Sequence, residues 1–194
     1  MRVFALSLLT VLAPYAHAAL ITPTSYTLSP APDAGYPDTG GSELTDGVLA
    51  AGLVNNPATD GVPYVAWLNS GLVTITFSFD QTYVFDAVEL GVLRSDAFNF
   101  AGVPTNVSVA GQNFAFSSTA IADGGRSFLT MNPVGLTANS VTVQITPRSG
   151  LWLMIDEIRF NGTVSTSEAV PEPSSLGLLG AGLLLLLARG KKVL

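Results

Sequence analysis

Residues 73–79 read Val-Thr-Ile-Thr-Phe-Ser-Phe, and every second side chain in this stretch is apolar. Successive side chains of a β-strand point to opposite faces, so this alternation predicts a strand with one face in a core and the other in water. The alternation recurs in three later stretches, at 88–92, 107–109 and 141–145, and a final strand is predicted over 152–160. Turn-forming residues separate the runs, among them Asp80-Gln81 and Asp123-Gly124-Gly125. The pattern predicts an all-β protein, an antiparallel β-sandwich over residues 19–163.

The same alternation predicts which side chains form the core. Apolar residues at every second position should face the opposite layer of the sandwich. The inward residues predicted in this way are Val73, Ile75, Phe77, Phe79, Val141, Val143, Ile145, Ile158 and Phe160.

Residue usage excludes several kinds of catalytic and metal chemistry. The chain has no cysteine, its single histidine is His17, and its only lysines are Lys191 and Lys192. A domain between these positions has no thiol, no imidazole base and no amine nucleophile. Disulfide scaffolds, Ser-His-Asp triads, Schiff-base lysines and zinc sites built from Cys and His are therefore excluded.

The charge balance indicates which partners suit the domain. Residues 19–170 carry four arginines against thirteen carboxylates, a net charge of −9, compared with −6 for the whole chain. Nucleic-acid binding needs a basic surface, which this composition cannot provide. Divalent cations and neutral ligands are better matched to the domain.

The N-terminus has the pattern of an export signal. Arg2 precedes an apolar run over residues 3–12, and Ala16-His17-Ala18 supplies the small residues that signal peptidase requires. Residues 1–18 are therefore predicted to be a signal peptide, with the mature chain starting at Ala19. The alternative is a buried N-terminal helix.

Three elements follow one another at the C-terminus, after a linker predicted at 164–170. Pro171, Glu172 and Pro173 come first, and two prolines around one carboxylate hold the backbone extended for an enzyme cleft. An apolar block follows, with a hydrophobic transmembrane helix predicted over residues 175–188. A basic cluster of Arg189, Lys191 and Lys192 ends the tail and should stay on the cytoplasmic side.

This order of elements in residues 171–194 resembles the PEP-CTERM sorting signal of Gram-negative bacteria. The resemblance implies that the protein is an exosortase substrate, held transiently in the inner membrane and then released to the cell surface or the medium of a bacterium that makes exopolysaccharide. An ordinary C-terminal membrane anchor is the alternative. The basic cluster departs from the arginine run of the signal, because Gly190 interrupts it and two of its residues are lysines.

A long loop region over residues 29–63 is rich in proline, glycine and carboxylates. Loops of this kind often carry the binding residues of a rigid scaffold. Four aromatic residues lie in or beside the region, Tyr26, Tyr36, Tyr64 and Trp67, and Trp152 opens the last predicted strand; exposed rings of this kind could stack on a sugar. Tyr36, between Gly35 and Pro37, is predicted to be the most exposed. For Trp67 and Trp152 a place in the core is the favoured interpretation, because small sandwiches bury their tryptophans.

Two segments of the domain resemble the discoidin, or coagulation-factor C-type, family. They are Glu43-Leu44-Thr45-Asp46-Gly47 and the final stretch from Trp152 to Gly162. The resemblance implies a galactose-binding-like jelly-roll sandwich. Members of that family often join their ends by a disulfide, which this chain cannot form.

The resemblance also implies a structural Ca²⁺ ion that ties the early loop to the last strand. Asp46 and Glu157 would supply carboxylates, and carbonyl groups near Glu43 and near Asn55 or Asn56 would complete the shell. The alternative is that Asp46 only makes a turn with Gly47 and that Glu157 is a solvated edge residue.

The sequence gives weak support for an enzyme. Asp156 and Glu157 are adjacent on a predicted strand, so their side chains should point to opposite faces and not form a catalytic pair. A glycosidase needs two carboxyl groups roughly 5–10 Å apart, and Asp38 with Asp60 is one possible pair.

We therefore expect an exported, surface-sorted, non-enzymatic β-sandwich that binds glycan or exopolysaccharide, or serves as a matrix component. A carboxylate-dependent glycoside hydrolase and a purely structural surface protein are the alternatives.

Overall fold

The computed structural model describes residues 18–51, 63–96 and 100–165. These residues form nine β-strands and contain no α-helix, so no helix among them could cross a membrane. The strands are β1 (Ala19–Ile21), β2 (Ser25–Ser29), β3 (Val65–Leu68), β4 (Val73–Leu93), β5 (Asn106–Val109), β6 (Gln112–Ala115), β7 (Arg126–Met131), β8 (Leu136–Thr146) and β9 (Trp152–Val164).

Strand β4 is 21 residues long and belongs to both layers of the sandwich. The turn predicted at Asp80-Gln81 is wrong, because the strand continues through it. The register against β8 shifts between Ser78 and Tyr83, so the extra residues form an irregular bulge rather than a chain reversal. Tyr83 closes this bulge by donating its hydroxyl hydrogen to Asp80 Oδ1 at 2.8 Å.

The two layers follow from the pairing of β4. Its first part, residues 73–78, lies between β2 and β8, and the layer continues from β8 through β5 to β6. Its second part pairs with β9 between residues 83 and 92 and, on the other edge, with β8 at residues 83–85 and with β7 at residues 88–93. Strand β9 also pairs with β1 and β3 along its other edge. Every one of these pairings is antiparallel, which confirms the predicted antiparallel β-sandwich.

The core lies between the layers and contains all of the side chains that alternation predicted to face inward. Phe77 of the first layer and Phe160 of the second meet with ring centroids 4.8 Å apart in an edge-on arrangement. Phe79 packs on the same Phe160 ring at 5.1 Å. Edge-to-face aromatic pairs add about 0.5–1.5 kcal/mol beyond the apolar area that they bury.

The ends of the domain are neighbours in one sheet. Residues 19–21 of β1 pair with residues 160–162 of β9, and Ala19 lies opposite Gly162. A Cβ atom at position 162 would overlap the carbonyl oxygen of Val84, so this close crossing requires glycine.

The two predicted targeting segments lie largely outside the described residues. This applies to the signal peptide at 1–18, except Ala18, and to the whole sorting tail at 171–194 with its hydrophobic helix. The chain divides into two compact units, residues 1–164 and 165–194. The site described below belongs to the first unit.

Candidate functional site

The segment 44–50 is fixed against the last strand by three backbone groups. Ile158 donates its backbone N–H to the Leu44 carbonyl at 2.7 Å. Gly47 donates its N–H to Glu157 Oε2 at 3.1 Å, and Ala50 donates its N–H to Asp156 Oδ2 at 2.9 Å. Leu44 is fully buried beneath this segment. The early loop and β9 therefore meet, as the family resemblance implied.

Asp156 and Glu157 both reach this early segment, so the prediction that they diverge is wrong. Strand β9 is irregular here: Gly91 of β4 lies opposite Glu157, but the next residue, Val92, lies opposite Ile155. Asp156 is therefore an extra residue in the ladder, and a bulge of this kind breaks the strict alternation of side chains.

Asp156 is held by a buried ion pair with Arg126 of β7. The guanidinium contacts both carboxylate oxygens, with Nε 2.6 Å from Oδ2 and Nη2 2.9 Å from Oδ1. The Asp156 side chain is completely buried, and that of Arg126 is 11% exposed. A Cβ atom at position 91 would overlap both charged groups, so Gly91 leaves the space that the pair occupies. No sequence pattern indicated this pair, apart from the presence of an arginine in a domain that has only four.

Phe128 of β7 adds an aromatic contact to the charged cluster. The guanidinium carbon of Arg126 lies 4.0 Å from the centre of the Phe128 ring, and that of Arg159 lies 4.5 Å from it. Cation–π contacts of this kind favour arginine over lysine at both positions. They hold Arg159 near Glu157, with its Nε 3.9 Å from Glu157 Oε1.

A cleft of about 300 Å³ opens beside Glu157. Its walls come from three parts of the chain, residues 20–23, 45–47 and 157–159. Glu157 is 3% exposed, and burial raises its pKa to about 7, although the Gly47 N–H and the Arg159 charge act in the opposite direction. The alternative interpretation, in which Glu157 is a solvated residue at a sheet edge, is therefore wrong.

Asp46 lies on the rim of the same cleft. It also makes the turn with Gly47 that the sequence offered as an alternative to calcium binding. Its Oδ1 accepts the N–H of Val48 at 2.8 Å, the hydrogen bond of an Asx turn. Gly47 completes the turn with a φ of 79°, in the left-handed region that glycine favours.

The donor groups here fit a hard cation in kind, because Ca²⁺ prefers carboxylate and carbonyl oxygens. In number they are few: the described residues hold no cluster of three or more metal-binding side chains. Asp46 and Glu157 supply two carboxylates to the cleft. Asn55 and Asn56 lie outside the described residues.

The predicted aromatic platform is wrong in its choice of rings. Tyr36, Tyr64 and Trp67 are 6%, 3% and 1% exposed and belong to the core. Trp67 donates its indole N–H to the Pro30 carbonyl at 3.0 Å, which satisfies the polar end of a buried ring. Tyr36 is covered because it packs edge-on against Trp152, with centroids 5.1 Å apart.

A different pair of rings remains partly open to solvent. Phe100 and Trp152 are half-buried, with centroids 6.3 Å apart, and pack on a small cluster that includes Tyr36 and Tyr64. Two backbone hydrogen bonds fix their positions: Trp152 donates its N–H to the Phe100 carbonyl at 2.9 Å, and Gly102 donates to the Trp152 carbonyl at 3.0 Å. The sequence analysis did not single out Phe100.

Asp38 is close to Glu43, whereas its predicted partner, Asp60, lies outside the described residues. Tyr26 donates its hydroxyl hydrogen to Asp38 Oδ1 at 2.9 Å and accepts the Leu44 N–H at 3.1 Å. Burial, with the neighbouring Asp38 carboxylate, raises the pKa values of Glu43 and Tyr26. Glu43 also donates its backbone N–H to Asp38 Oδ1 at 3.4 Å.

Residues 169–192 match the PEP-CTERM protein-sorting motif. The match confirms the resemblance stated for the tail, and the motif indicates export with a membrane-anchored C-terminal sorting signal. No curated protein matches this chain in sequence.

Solved structures share the fold of the domain. One is the Streptococcus pneumoniae β-galactosidase BgaA, with a TM-score of 0.52 and 9% identity, covering 73% of this chain and 97% of that one. Another is the family 32 carbohydrate-binding module of C. perfringens NanJ in complex with galactose, with a TM-score of 0.46, 12% identity and coverages of 74% and 98%. A third is the CBM32 of AlyQ in complex with 4,5-unsaturated mannuronic acid, with a TM-score of 0.47, 15% identity and coverages of 73% and 97%. The similarity to the BgaA structure confirms the predicted β-sandwich as a fold.

Proposed function

We propose that this protein is an exported, surface-sorted and non-enzymatic module that binds glycan, with the exopolysaccharide of the producing cell as its ligand. The observation that carries the proposal is the ring pair of Phe100 and Trp152, defined here as the aromatic pair. Both rings are half-buried and lie where the connection after β4 meets the start of β9.

The geometry of the aromatic pair suits a sugar ring. Pyranose rings present C–H groups on one face. A partly exposed aromatic ring can pack against such a face. The backbone bonds between Phe100, Gly102 and Trp152 hold the rings in place before a ligand arrives, which lowers the entropy cost of binding. Arg148, whose Nε donates to the Val103 carbonyl at 3.3 Å, precedes Trp152 in the turn between β8 and β9 and offers a donor to hydroxyl groups.

The targeting segments assign partners to this role. Signal peptidase would remove residues 1–18, and an exosortase-type enzyme would recognise Pro171, Glu172 and Pro173. Before this processing, the apolar segment 175–188 would hold the protein in the inner membrane of a Gram-negative cell. After processing, the domain would reach the cell surface or the medium.

The proposal includes a structural Ca²⁺ held by Asp46 and Glu157. The ion would neutralise a carboxylate that is now buried with one N–H donor and an arginine 3.9 Å away. It would join segment 44–50 to β9 more firmly in a domain that has no disulfide.

Binding of the full chain, solubilised in detergent, to the producing organism's exopolysaccharide tests the proposal. Phe100→Ala should weaken binding at least tenfold, because stacking on the ring is lost. Phe116→Ala is the matched control, since Phe116 is also a half-buried ring but packs on the main core. Equal effects of the two changes, or no binding by the unaltered protein to this polysaccharide, would favour the purely structural role.

A further inference from the structure

One side of the first layer carries only uncharged side chains, most of them hydroxyl-bearing. We call it the hydroxyl face: the outward side chains of β2, β5 and β6 and of residues 73–78 and 140–146. Its inward neighbours, such as Phe77 and Val141, are fully buried, so alternation places the polar residues on the outside. Ser, Thr, Asn, Gln and one Ala occupy its outward positions.

The strand register arranges these side chains in rows that cross the layer. One row contains Ser29, Thr74, Gln144 and Asn113, with the buried Ser108 between the last two. The next row contains Thr27, Thr76 and Thr142, and a third contains Ser25, Ser78 and Ser140. Strands lie about 4.8 Å apart, so five strands present a surface about 19 Å wide.

The hydroxyl groups of this face are ordered by contacts with their neighbours. Thr76 Oγ1 lies 3.3 Å from Thr142 Oγ1, and Ser140 donates its hydroxyl hydrogen to the Phe77 carbonyl at 3.0 Å. Thr and Ser have few rotamers to lose, so a ligand that binds here orders little further side-chain motion.

Charge avoids this face, although the molecule is strongly acidic. The described residues include eleven carboxylates and four arginines, and none of the fifteen lies on these strand segments. Charged residues make up 11% of the whole chain. The face therefore offers no charged group that could pair with a charged ligand.

The chemistry of the face argues against another protein as its occupant. Protein interfaces are enriched in aromatic residues, methionine and arginine, whereas serine is depleted in them and threonine and serine are rare at their energetic centres. Hydroxyl and amide groups both donate and accept hydrogen bonds, directly or through water. Their complement is a polymer that also carries many hydroxyl groups and no charge.

We propose that the hydroxyl face binds a long, uncharged polysaccharide laid across its strands, as a second glycan site that shares no residue with the aromatic pair. The proposal rests on the proposed function, because it assumes a glycan-binding module. It adds the ligand class: a neutral polymer that spans several strands, in contrast to a single sugar held against two rings.

The test compares two double variants of the full chain in detergent. Thr76→Val with Thr142→Val removes two hydroxyl groups of the face while the branched shape stays. Thr130→Val with Thr163→Val makes the same change on β7 and β9, in the other layer. Affinity electrophoresis in gels that contain a linear neutral glucan or galactan measures binding, and thermal melts verify that both variants fold.

The face variant should lose at least tenfold in affinity for one of these polymers, while the control keeps the affinity of the unaltered protein. Free glucose or galactose should not compete, because one sugar covers too little of the face. Thr27→Lys, an exposed change on edge strand β2, should also weaken binding, whereas Thr119→Lys in a loop should not.

Three results would overturn the inference. Equal affinities of the face and control variants would remove the face as a site. If light scattering shows that the unaltered protein is a dimer and the face variant a monomer, the occupant of the face is a second copy of the chain. If Phe100→Ala abolishes polymer binding and the face variant leaves it intact, this inference is wrong but the proposed function stands. If the unaltered protein binds no polysaccharide at all, the proposed function is wrong as well.

Discussion

Arg126→Met should destabilise the domain strongly, because it leaves the Asp156 carboxylate buried without its charged partner. Asp156 is completely buried and Arg126 nearly so, and the two groups share two hydrogen bonds of 2.6 and 2.9 Å. Removal of one member of a buried pair costs about 3–5 kcal/mol. With a urea dependence of roughly 2 kcal/mol per molar, the unfolding midpoint should fall by about 1.5–2.5 M.

The double variant Arg126→Met with Asp156→Leu is the matched control. It removes both charges, so most of the lost stability should return. The remaining loss, about 1–3 kcal/mol, comes from the Ala50 N–H, which no longer has a carboxylate to donate to. Urea unfolding followed by far-UV circular dichroism, in EDTA, gives the three midpoints. A single variant whose midpoint moves by less than about 0.5 M, or a double variant less stable than the single one, would refute the reasoning.

Three further outcomes are expected. Phe77→Ala removes a fully buried ring that contacts Phe160, so urea unfolding should show a loss of about 3–5 kcal/mol, and an unchanged midpoint would contradict the inward assignment. Millimolar Ca²⁺ at a hundredfold excess over Kd should stabilise the native state by about 2.7 kcal/mol, which raises Tm by about 5–10 °C relative to EDTA. Asp46→Asn should reduce that rise, and identical melts in Ca²⁺ and EDTA would exclude the ion. Glu172→Ala should leave the protein in the membrane fraction, whereas intact mass of the unaltered extracellular protein should show a start at Ala19 and no Lys191 or Lys192.

Alternation predicted the sandwich well because it depends on local geometry. The run 73–79 could be assigned a face from its own residues, and Phe77 and Phe79 are buried as expected. The same rule failed at Asp156, since a bulge adds one residue to β9 and nothing in the apolar pattern indicates where a ladder slips. The continuous path of β4 through Asp80 was missed for the same reason.

The candidate site was only partly predictable, because its contacts join residues that are far apart in the chain. The family resemblance placed segment 43–47 near β9, and the Gly47–Glu157 hydrogen bond spans 110 positions. The pairing of Arg126 with Asp156 depends on the space left by Gly91, which no local pattern reveals. Burial of Tyr36 depends on the position of Trp152, more than a hundred residues later.

The pairing of β9 with β1, β3 and β4 sets the order in which the domain can be completed during export. A chain that crosses the membrane amino-terminus first delivers residues 152–164 last. Until then β1 has no partner, and β3 and the second part of β4 lack the strand that lies between them. Such long-range pairings form slowly and leave apolar strand edges exposed in the meantime. The last pairing of this sheet, between Val164 and Tyr83, therefore needs a residue only seven positions before Pro171.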